Sequence, residues 1–418
     1  MKIVTSTILA ALVAAVLLVV ALIITGRFKP DAGQPPAEPA AAKEPAKQPE
    51  DRGPKLEIAD LGSREAGSLS WPMFRGEQRL LGRASGSLAD AMTLAWKFKT
   101  GGQIKSSPVI DDGLVYVGSA DANVYAIDLA RGKQVWAYHT GDAVEATPCV
   151  LDGSVFVGSS DSCLYALDAK TGSLKWKYQT EGEILGAANW TRPQDGQGVW
   201  ILFGSYDNKL HCVDSADGSV VWTYETESYV NGAPAVDQGK AVFGGCDAMI
   251  HVISLADGNA AGQIDSGSYI AGSAALCEGQ AYVGNYDNRL IKADIATGEI
   301  LWTYGGGEAP FFSSPAVGRD VVVFGGRDNR VHCIGREDGK VVWTFQTLGE
   351  VDSSPVICGD KVAVGSADGR VYMLRLSDGG EVWSYEVGQA IISSPAVAGG
   401  IIVIGGDDGF LYAFGPSG

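Results

Sequence analysis

Residues 115–136 read VYVGSADANVYAIDLARGKQVW, and the rest of the chain repeats this stretch. Valine, isoleucine, tyrosine and tryptophan dominate its short runs, as is typical of pleated, half-buried strands, and turn residues separate the runs. Seven further copies begin at Gly158, Gly204, Gly244, Gly284, Gly325, Gly365 and Gly405. The pattern therefore predicts a repeat protein in which one unit is stacked eight times.

A proline position fixes the period of the repeat. It occurs at residues 108, 148, 188, 234, 274, 315, 355 and 395, where Ala188 and Ala274 replace proline. The spacing is about 40 residues with one six-residue insertion, and each copy has room for four short antiparallel strands. Four strands in each unit of this length indicate a β-propeller blade.

A tryptophan ends the outermost predicted strand of seven copies. These residues are Trp96, Trp136, Trp176, Trp222, Trp302, Trp343 and Trp383, and Gly262 takes the position in the remaining copy. Trp96 precedes the first complete copy, whereas the last copy stops near Phe414. We therefore expect the strand at 94–100 to complete the last blade, so that an all-β, eight-bladed propeller closes without exposed sheet edges.

The N-terminal region differs in composition. Residues 3–24 carry no charge and are long enough to span a bilayer as a helix, so residues 1–28 are predicted to be a transmembrane anchor or uncleaved signal. Residues 29–70 form a Pro/Ala-rich linker, and residues 71–418 the propeller. We expect a single-pass membrane protein with its propeller on the periplasmic or extracellular side. Positive charges flank both ends of the apolar run, so they do not fix its orientation.

Charge and cysteine content exclude several classes of protein. The net charge of −17 argues against a nucleic-acid partner, because phosphate binding needs a basic face. The seven cysteines form no CxxC pair, and we expect mostly free, buried thiols.

Two recurring side chains invite a metal interpretation. An aspartate follows the GxxD pattern in every copy: Asp121, Asp161, Asp207, Asp247, Asp287, Asp328, Asp368 and Asp408. Eight carboxylates on one face could bind Ca²⁺, but an aspartate that opens a tight turn explains the recurrence better. His211, His251 and His332 share a repeat position with tyrosines, which favours a packing slot over a metal site.

The repeat resembles a known family. Ala166, Asp168, Thr171, Gly172 and Trp176 are similar to the tryptophan-docking motif of the PQQ-like (pyrroloquinoline-quinone-type) β-propeller repeat, and the opening WPMFRG at residues 71–76 is similar to the segment leading into such propellers. The resemblance covers about residues 71–418. It implies either a quinoprotein dehydrogenase, which uses PQQ with Ca²⁺, or a BamB-like scaffold, a non-catalytic periplasmic component of outer-membrane protein assembly. The lipid-bearing cysteine usual in BamB-like proteins is absent, as are the long insertions and adjacent cysteines of quinoprotein alcohol dehydrogenases.

Two variable positions predict a binding surface. One lies three residues before the proline position, and the other just before the GxxD aspartate. Both should surround one mouth of the channel, because the loop leading into the innermost strand and the hairpin between strands two and three open on the same face. The candidate partner-binding residues are Lys105, Glu145, Tyr206, Asn231, Tyr286, Phe312, Arg327 and Asp352. Drift at exposed turns is the other interpretation of this variation.

The sequence thus favours a non-enzymatic, membrane-anchored scaffold that binds proteins or peptides at the channel mouth and has no cofactor. The resemblance to BamB-like proteins implies a role in envelope or outer-membrane protein assembly. The alternative is a PQQ-dependent quinoprotein dehydrogenase with Ca²⁺, or a ligand-sensing propeller. No catalytic, cofactor-binding or metal-ligating residue can be assigned, and neither a GxSxG motif nor a P-loop occurs.

Overall fold

The computed structural model describes residues 69–193, 196–305 and 309–417. These residues form eight separate sheets, seven with four strands and one with five, so the predicted all-β, eight-bladed propeller is confirmed. The predicted anchor at 1–28 and nearly all of the linker at 29–70 lie outside the described residues. Within the described residues, no helix is long and apolar enough to cross a membrane.

Each blade is an antiparallel meander that runs from the channel outwards. The innermost strands of blades 1–8 are Val109–Asp111, Cys149–Leu151, Asn189–Thr191, Ala235–Asp237, Ala275–Cys277, Ala316–Val317, Val356–Cys358 and Ala396–Ala398. The second strands are Leu114–Ser119, Ser154–Gly158, Trp200–Ser205, Lys240–Gly244, Gln280–Gly284, Val321–Gly326, Lys361–Gly365 and Ile401–Gly405. The third strands are Asn123–Asp128, Cys163–Asp168, Lys209–Asp214, Met249–Ser254, Arg289–Asp294, Arg330–Gly335, Arg370–Arg375 and Phe410–Pro416. The outermost strands are Gln134–His139, Leu174–Gln179, Val220–Glu225, Ala260–Asp265, Ile300–Gly305, Val341–Gln346, Glu381–Glu386 and, for blade 8, Met92–Lys99.

The ring closes as predicted. Met92–Lys99 pairs antiparallel with Phe410–Pro416, so the start of the propeller supplies the outermost strand of its last blade. Near the channel, the Ser394 N–H donates to Ser107 Oγ at 3.0 Å and joins blade 8 to blade 1. Both contacts remove sheet edges that an open array would expose.

The tryptophans join neighbouring blades. Trp136 lies on the outermost strand of blade 1 and packs on Gly172 of blade 2. Its indole N–H donates to the Ala169 carbonyl of blade 2 at 2.9 Å. The indole hydrogen bond recurs for the other six tryptophans, whose acceptors are the carbonyls of Leu129, Ser215, Leu255, Arg336, Leu376 and Met92. The glycine contact recurs for all of these except Trp383. A side chain on Gly172 would place its Cβ 2.6 Å from the indole, and the backbone there has a φ of +71°, so glycine fits both demands.

Residues 71–84, here called the N-terminal strap, run around the inside of the channel. Trp71 exchanges two backbone hydrogen bonds with Ile110, at 2.7 and 2.9 Å. Strap carbonyls accept N–H groups from the innermost strands of five further blades: Pro72 from Val150, Gln78 from Val236, Arg79 from Leu276, Leu81 from Val317 and Gly82 from Ile357. The strap ends as the two-residue strand Arg83–Ala84, parallel to Val356–Cys358. It thereby satisfies backbone groups that the channel would otherwise leave unpaired.

The strap carries a buried charge. Arg75 is 1% exposed, and none of its guanidinium nitrogens has a hydrogen-bond partner among the described residues. Burial lowers the pKa of Arg75 to about 9. Unpaired buried cations are costly, so this position destabilises the closed ring.

The thiols are free, as predicted. Six of the seven cysteines are buried, and Cys246 is half-buried beside the channel mouth. Burial raises the pKa of the Cys149 thiol to about 12, which leaves it unreactive.

Candidate partner-binding mouth

The hairpin between strands two and three is built by its aspartate. In blade 1, Asp121 Oδ1 accepts the Asn123 N–H at 3.1 Å, and Asp121 Oδ2 accepts the Gly101 N–H of blade 8 at 2.6 Å. Ala122 takes a φ of +64°, which the hydrogen-bonded turn stabilises. The GxxD aspartates therefore shape turns, as the sequence indicates, and in blades 1, 2, 3 and 7 they also bind the hairpin to the preceding blade.

Four residues after the GxxD aspartate, a hydrogen-bond donor binds the carboxylate and holds it in the interior of the blade. It is a tyrosine hydroxyl in blade 1, where Tyr125 donates to Asp121 at 2.7 Å, and a histidine in blades 3, 4 and 6. In blade 3, His211 Nε2 lies 3.0 Å from Asp207 Oδ2, and Tyr178 Oη lies 3.2 Å from His211 Nδ1. Because a carboxylate only accepts, Nε2 carries the proton and Nδ1 accepts from the tyrosine.

Burial favours the neutral form of the histidines in blades 3 and 4. It lowers the pKa of His211 and of His251, although the neighbouring aspartates oppose the shift. The histidines thus fill a shared slot with tyrosine, as predicted from the repeat.

Blade 5 shows what the donor does. Ile291 stands in the donor position, and Asp287 is exposed there, whereas Asp207 and Asp247 have nearly buried side chains. The aspartate is thus exposed in the blade where an apolar side chain stands at the donor position.

The two variable loops lie on one face, joined by backbone hydrogen bonds. The residue before each GxxD aspartate donates its N–H to the carbonyl five residues before the proline position of the same blade. The Tyr206 N–H reaches Glu183 O at 2.9 Å, Cys246 reaches Tyr229 at 3.1 Å and Tyr286 reaches Tyr269 at 2.9 Å. The pairs in the remaining blades are Ala120 with Gln103, Ser160 with Ala143, Arg327 with Pro310, Ala367 with Glu350 and Asp407 with Ala390. This ring of paired loops is a rigid rim around the mouth.

Inside the rim lies a cavity of about 190 Å³. Its walls include Lys105, Asn231, Phe312 and Asp352 of the predicted site, and Phe74 of the strap also lines it. A belt of hydroxyl side chains lies one residue before the proline position: Ser107, Thr147, Ser273, Ser314, Ser354 and Ser394. These hydroxyl oxygens accept N–H groups from the preceding blade, for example Ser354 Oγ from Ser314 at 2.9 Å. The cavity is therefore polar around its walls.

One half of the rim is aromatic. Tyr206 stacks on Tyr229, with ring centroids 4.6 Å apart and planes 5° from parallel. On blades 5 and 6, Tyr286 contacts Phe312 at 4.5 Å, and Tyr269 contacts Tyr286 at 6.1 Å. Tyr229, Tyr269 and Tyr286 are 48%, 56% and 44% exposed. Blades 3 to 6 thus present a group of accessible rings beside the channel.

Charged pairs border the aromatic half. The Arg327 guanidinium lies 4.0 Å from the centre of the Phe312 ring and binds Asp352 through Nε at 3.0 Å and a terminal nitrogen at 2.7 Å. The hydrogen bond to Asp352 raises the pKa of Arg327. Across the mouth, Lys105 Nζ pairs with Glu145 at 2.8 Å. Burial raises the pKa of Asp407 on the same rim.

The structure thus brings the predicted residues together in groups. Contacts join Tyr286 to Phe312, Phe312 to Arg327 and Arg327 to Asp352, whereas Lys105 and Glu145 form a separate pair. Asn231 Nδ2 lies 3.5 Å from the Cys246 thiol. Whether these residues bind a partner stays a prediction.

Sequence analysis missed Tyr229, Tyr269 and Glu350. They share one repeat position, five residues before the proline, which also varies between copies: Gln103, Ala143, Glu183, Tyr229, Tyr269, Pro310, Glu350 and Ala390. Comparison of the copies at that position would have found them.

Metal-ligand geometry is a separate question. Across residues 69–193, 196–305 and 309–417, no three His, Cys, Asp or Glu side chains are grouped so that they could hold a metal ion. The GxxD carboxylates are distributed one per blade, and those of blades 1, 2 and 3 accept a backbone N–H of their own turn.

With this geometry established, comparison with known proteins identifies the family. The family model described as outer membrane protein assembly factor BamB matches residues 79–199, 189–261 and 247–417. The chain belongs to the BamB family. No curated protein sequence matches this BamB-family chain.

Solved structures show the same fold at low sequence identity. BamB from Moraxella catarrhalis is 20% identical with a TM-score of 0.65, and the match covers 78% of this chain and all of that one. A europium-containing methanol dehydrogenase is 15% identical with a TM-score of 0.71, covering 86% of this chain and 100% of that chain. Quinohemoprotein alcohol dehydrogenase from Comamonas testosteroni is 13% identical with a TM-score of 0.70, covering 87% and 83%. At these sequence identities the similarity shows the fold alone, and the two dehydrogenases share that fold with this BamB-family chain.

Proposed function

We propose that this BamB-family propeller is a non-enzymatic scaffold that binds protein or peptide segments on the aromatic half of its channel mouth. The observation that carries the proposal is the group of rings formed by Tyr269, Tyr286 and Phe312, with Arg327 stacked on the last. Tyrosine and arginine are enriched among the residues that dominate binding energy in protein interfaces. Here the rings are partly exposed and held by a hydrogen-bonded rim, so little side-chain freedom remains to be lost on binding.

The pathway follows from the family. The matching family model describes an outer membrane protein assembly factor, and we extend that role to this chain as a proposal. Residues 1–28 would anchor the protein in a membrane, the linker at 29–70 would hold the propeller away from it, and the propeller would lie on the periplasmic or extracellular side. The acidic net charge of −17 is suited to a soluble domain that avoids self-association.

A dehydrogenase function receives less support. A quinoprotein needs a Ca²⁺-bound cofactor and a positioned carboxylate base. Three carboxylates of the rim are instead engaged: Asp121 with its turn, Asp352 with Arg327 and Glu145 with Lys105. We therefore propose no cofactor, and the purified protein supplied with Ca²⁺ and PQQ should gain no bound visible absorbance and no alcohol-oxidising activity.

Affinity capture tests the scaffold function. Intact protein would be purified from gently solubilised membranes, and co-purified proteins identified by mass spectrometry. The test variant combines Tyr206→Ala, Tyr286→Ala and Arg327→Ala. A control variant truncates three exposed apolar side chains on the outer edges of the blades through Val135→Ala, Val220→Ala and Val341→Ala.

The expected result is a partner retained by the wild type and the control but reduced at least about tenfold in the test variant, since two or more hot-spot residues are lost. The melting temperatures of both variants should remain close to that of the wild type. Unchanged capture by the test variant, or equal loss in the control, would contradict binding at this mouth.

A further inference from the structure

The seam between blades 4 and 5 lacks its tryptophan. Gly262 stands where the outermost strand of every other blade carries an indole. The neighbouring residues Ala260 and Ala261 are also small, whereas other blades carry branched apolar pairs such as Val220 and Val221. Blade 4 therefore packs on the facing part of blade 5 through Ile264, whose side chain is buried, and brings no indole to its glycine.

The loop of blade 5 that would contact the missing tryptophan nevertheless has the same backbone conformation as the loops that bind one in other blades. Gly298 has a φ of +76°, against +71° for Gly172, and its N–H donates to Asp294 O at 2.9 Å, as that of Gly172 does to Asp168 O at 2.8 Å. The Ile295 N–H is bound to Gly279 O at 3.1 Å, which matches the bond that positions the Ala169 carbonyl in blade 2. The loop is thus held in the tryptophan-binding conformation without a tryptophan.

The slot is open to solvent. Gly298 is exposed, whereas the equivalent glycines beneath an indole are buried or half-buried: Gly132, Gly172, Gly218, Gly258, Gly339 and Gly379. A Cβ built on Gly298 would meet only Ile264 Cγ1, at 3.9 Å, while one on Gly258 would lie 2.6 Å from the indole of Trp222. The space that an indole fills in the other seams is free here.

The six occupied slots define what fits. Each takes an indole whose face packs on the left-handed glycine and whose N–H reaches a carbonyl three residues earlier, at 2.7 to 3.3 Å. The corresponding acceptor on blade 5 is the carbonyl of Ile295, to which no described indole donates. An indole is therefore a better fit than an aliphatic side chain, which would leave the acceptor unused.

The chain cannot supply that indole itself. All ten of its tryptophans lie among the described residues, and none of them is exposed. A second copy would present the same covered tryptophans. The occupant must come from a different protein.

We propose that the Gly262–Gly298 slot is a receptor site for a tryptophan side chain of a partner protein. The partner's indole would pack on Gly298 and donate its N–H to the Ile295 carbonyl. The slot lies at the outer seam between two blades rather than on the mouth rim, so it stands independently of the function proposed above.

The test uses ¹⁹F NMR with the full chain and the peptide Ac-Gly-Trp-Gly-NH₂ carrying 5-fluorotryptophan, because the fluorine reports on the peptide alone. Wild-type protein should broaden the fluorine line saturably, with a dissociation constant of roughly 1 mM or tighter, as a fragment-sized ligand allows. The Gly262→Trp variant, which fills the slot from within, should bind at least about tenfold more weakly, equivalent to 1.4 kcal/mol. The Gly262→Ala control should bind within about twofold of wild type, a difference under half a kcal/mol.

Two further measurements show whether a loss of binding reflects the slot itself or a folding defect of the variant. Gly262→Trp should melt at or above the wild-type temperature, since a Cβ at Gly262 meets only Val252 at 3.7 Å. With wild-type protein, methylating the indole nitrogen of the peptide should weaken binding several-fold, because the donor to Ile295 is lost. No saturable broadening by wild type, equal binding by Gly262→Trp, or equal binding of the N-methylated peptide or of a fluorinated leucine peptide would overturn the proposal.

Discussion

Alanine at Gly172 would test how the blades are joined, because it introduces one methyl group directly beneath an indole. The new Cβ would lie 2.6 Å from the Trp136 ring, which is 7% exposed and has little room to move. Gly298→Ala is the matched control. It has nearly the same left-handed backbone, but its Cβ meets no atom closer than 3.9 Å.

The two substitutions share one cost and differ in another. Alanine in the left-handed region costs about 1–2 kcal/mol at either site. At Gly172, crowding of Trp136 adds about 1–3 kcal/mol. Loss of the 2.9 Å indole hydrogen bond to Ala169 adds about 1 kcal/mol. Gly172→Ala should therefore destabilise the protein by roughly 2–4 kcal/mol more than Gly298→Ala.

Urea unfolding measures the difference, provided that the variants unfold with equal slopes. A double-mutant cycle with Trp136→Ala supplies the second test: in that background, Gly172→Ala should cost only as much as Gly298→Ala. Equal losses for the two glycines in the wild-type background, or an unchanged cost for Gly172→Ala without the indole, would refute the docking contact as the source of the stability.

The buried polar groups give two further predictions. The pKa values of His211 and His251 are lowered in the folded protein, so the unfolded chain binds protons more readily below the ordinary value of 6.5. The stability that depends on these histidines should therefore be full above that pH and decline as the pH falls below it. The double variant His211→Tyr/His251→Tyr, which copies the tyrosine of other blades, should show a shallower fall in melting temperature between about pH 7 and pH 5, and an identical profile would contradict the assignment. Arg75→Met should raise the free energy of unfolding by on the order of 1–3 kcal/mol, because it removes an unpaired buried cation; a loss of stability in urea unfolding would show that the guanidinium has a partner in solution.

The fold could be predicted because its determinants repeat. Eight copies of one pattern fix the strands, the turns and the blade number, and the position of Trp96 before the first complete copy indicates how the ring closes. The N-terminal strap could not be placed in this way. It occurs once, has no period, and binds residues far away in the chain, as in the contact of Leu81 with Val317.

The candidate site could be predicted in part. Comparing copies pointed to Tyr286, Phe312 and Arg327, which the structure places in contact. It did not reveal Tyr229 or Tyr269, which lie two residues further from the proline position, and only the folded loops show that their rings contact Tyr206 and Tyr286.

The most direct test of the central claim is site-specific photocrosslinking. A benzophenone amino acid would replace Tyr269 on the aromatic half of the mouth or, as a control, Val220 on the outer edge of blade 3, since the two side chains are 56% and 55% exposed. Illumination of intact membranes should link a partner protein to position 269 and not to position 220. Adducts at position 220 alone, or equal adducts at both positions, would contradict a scaffold that binds its partner at the aromatic mouth.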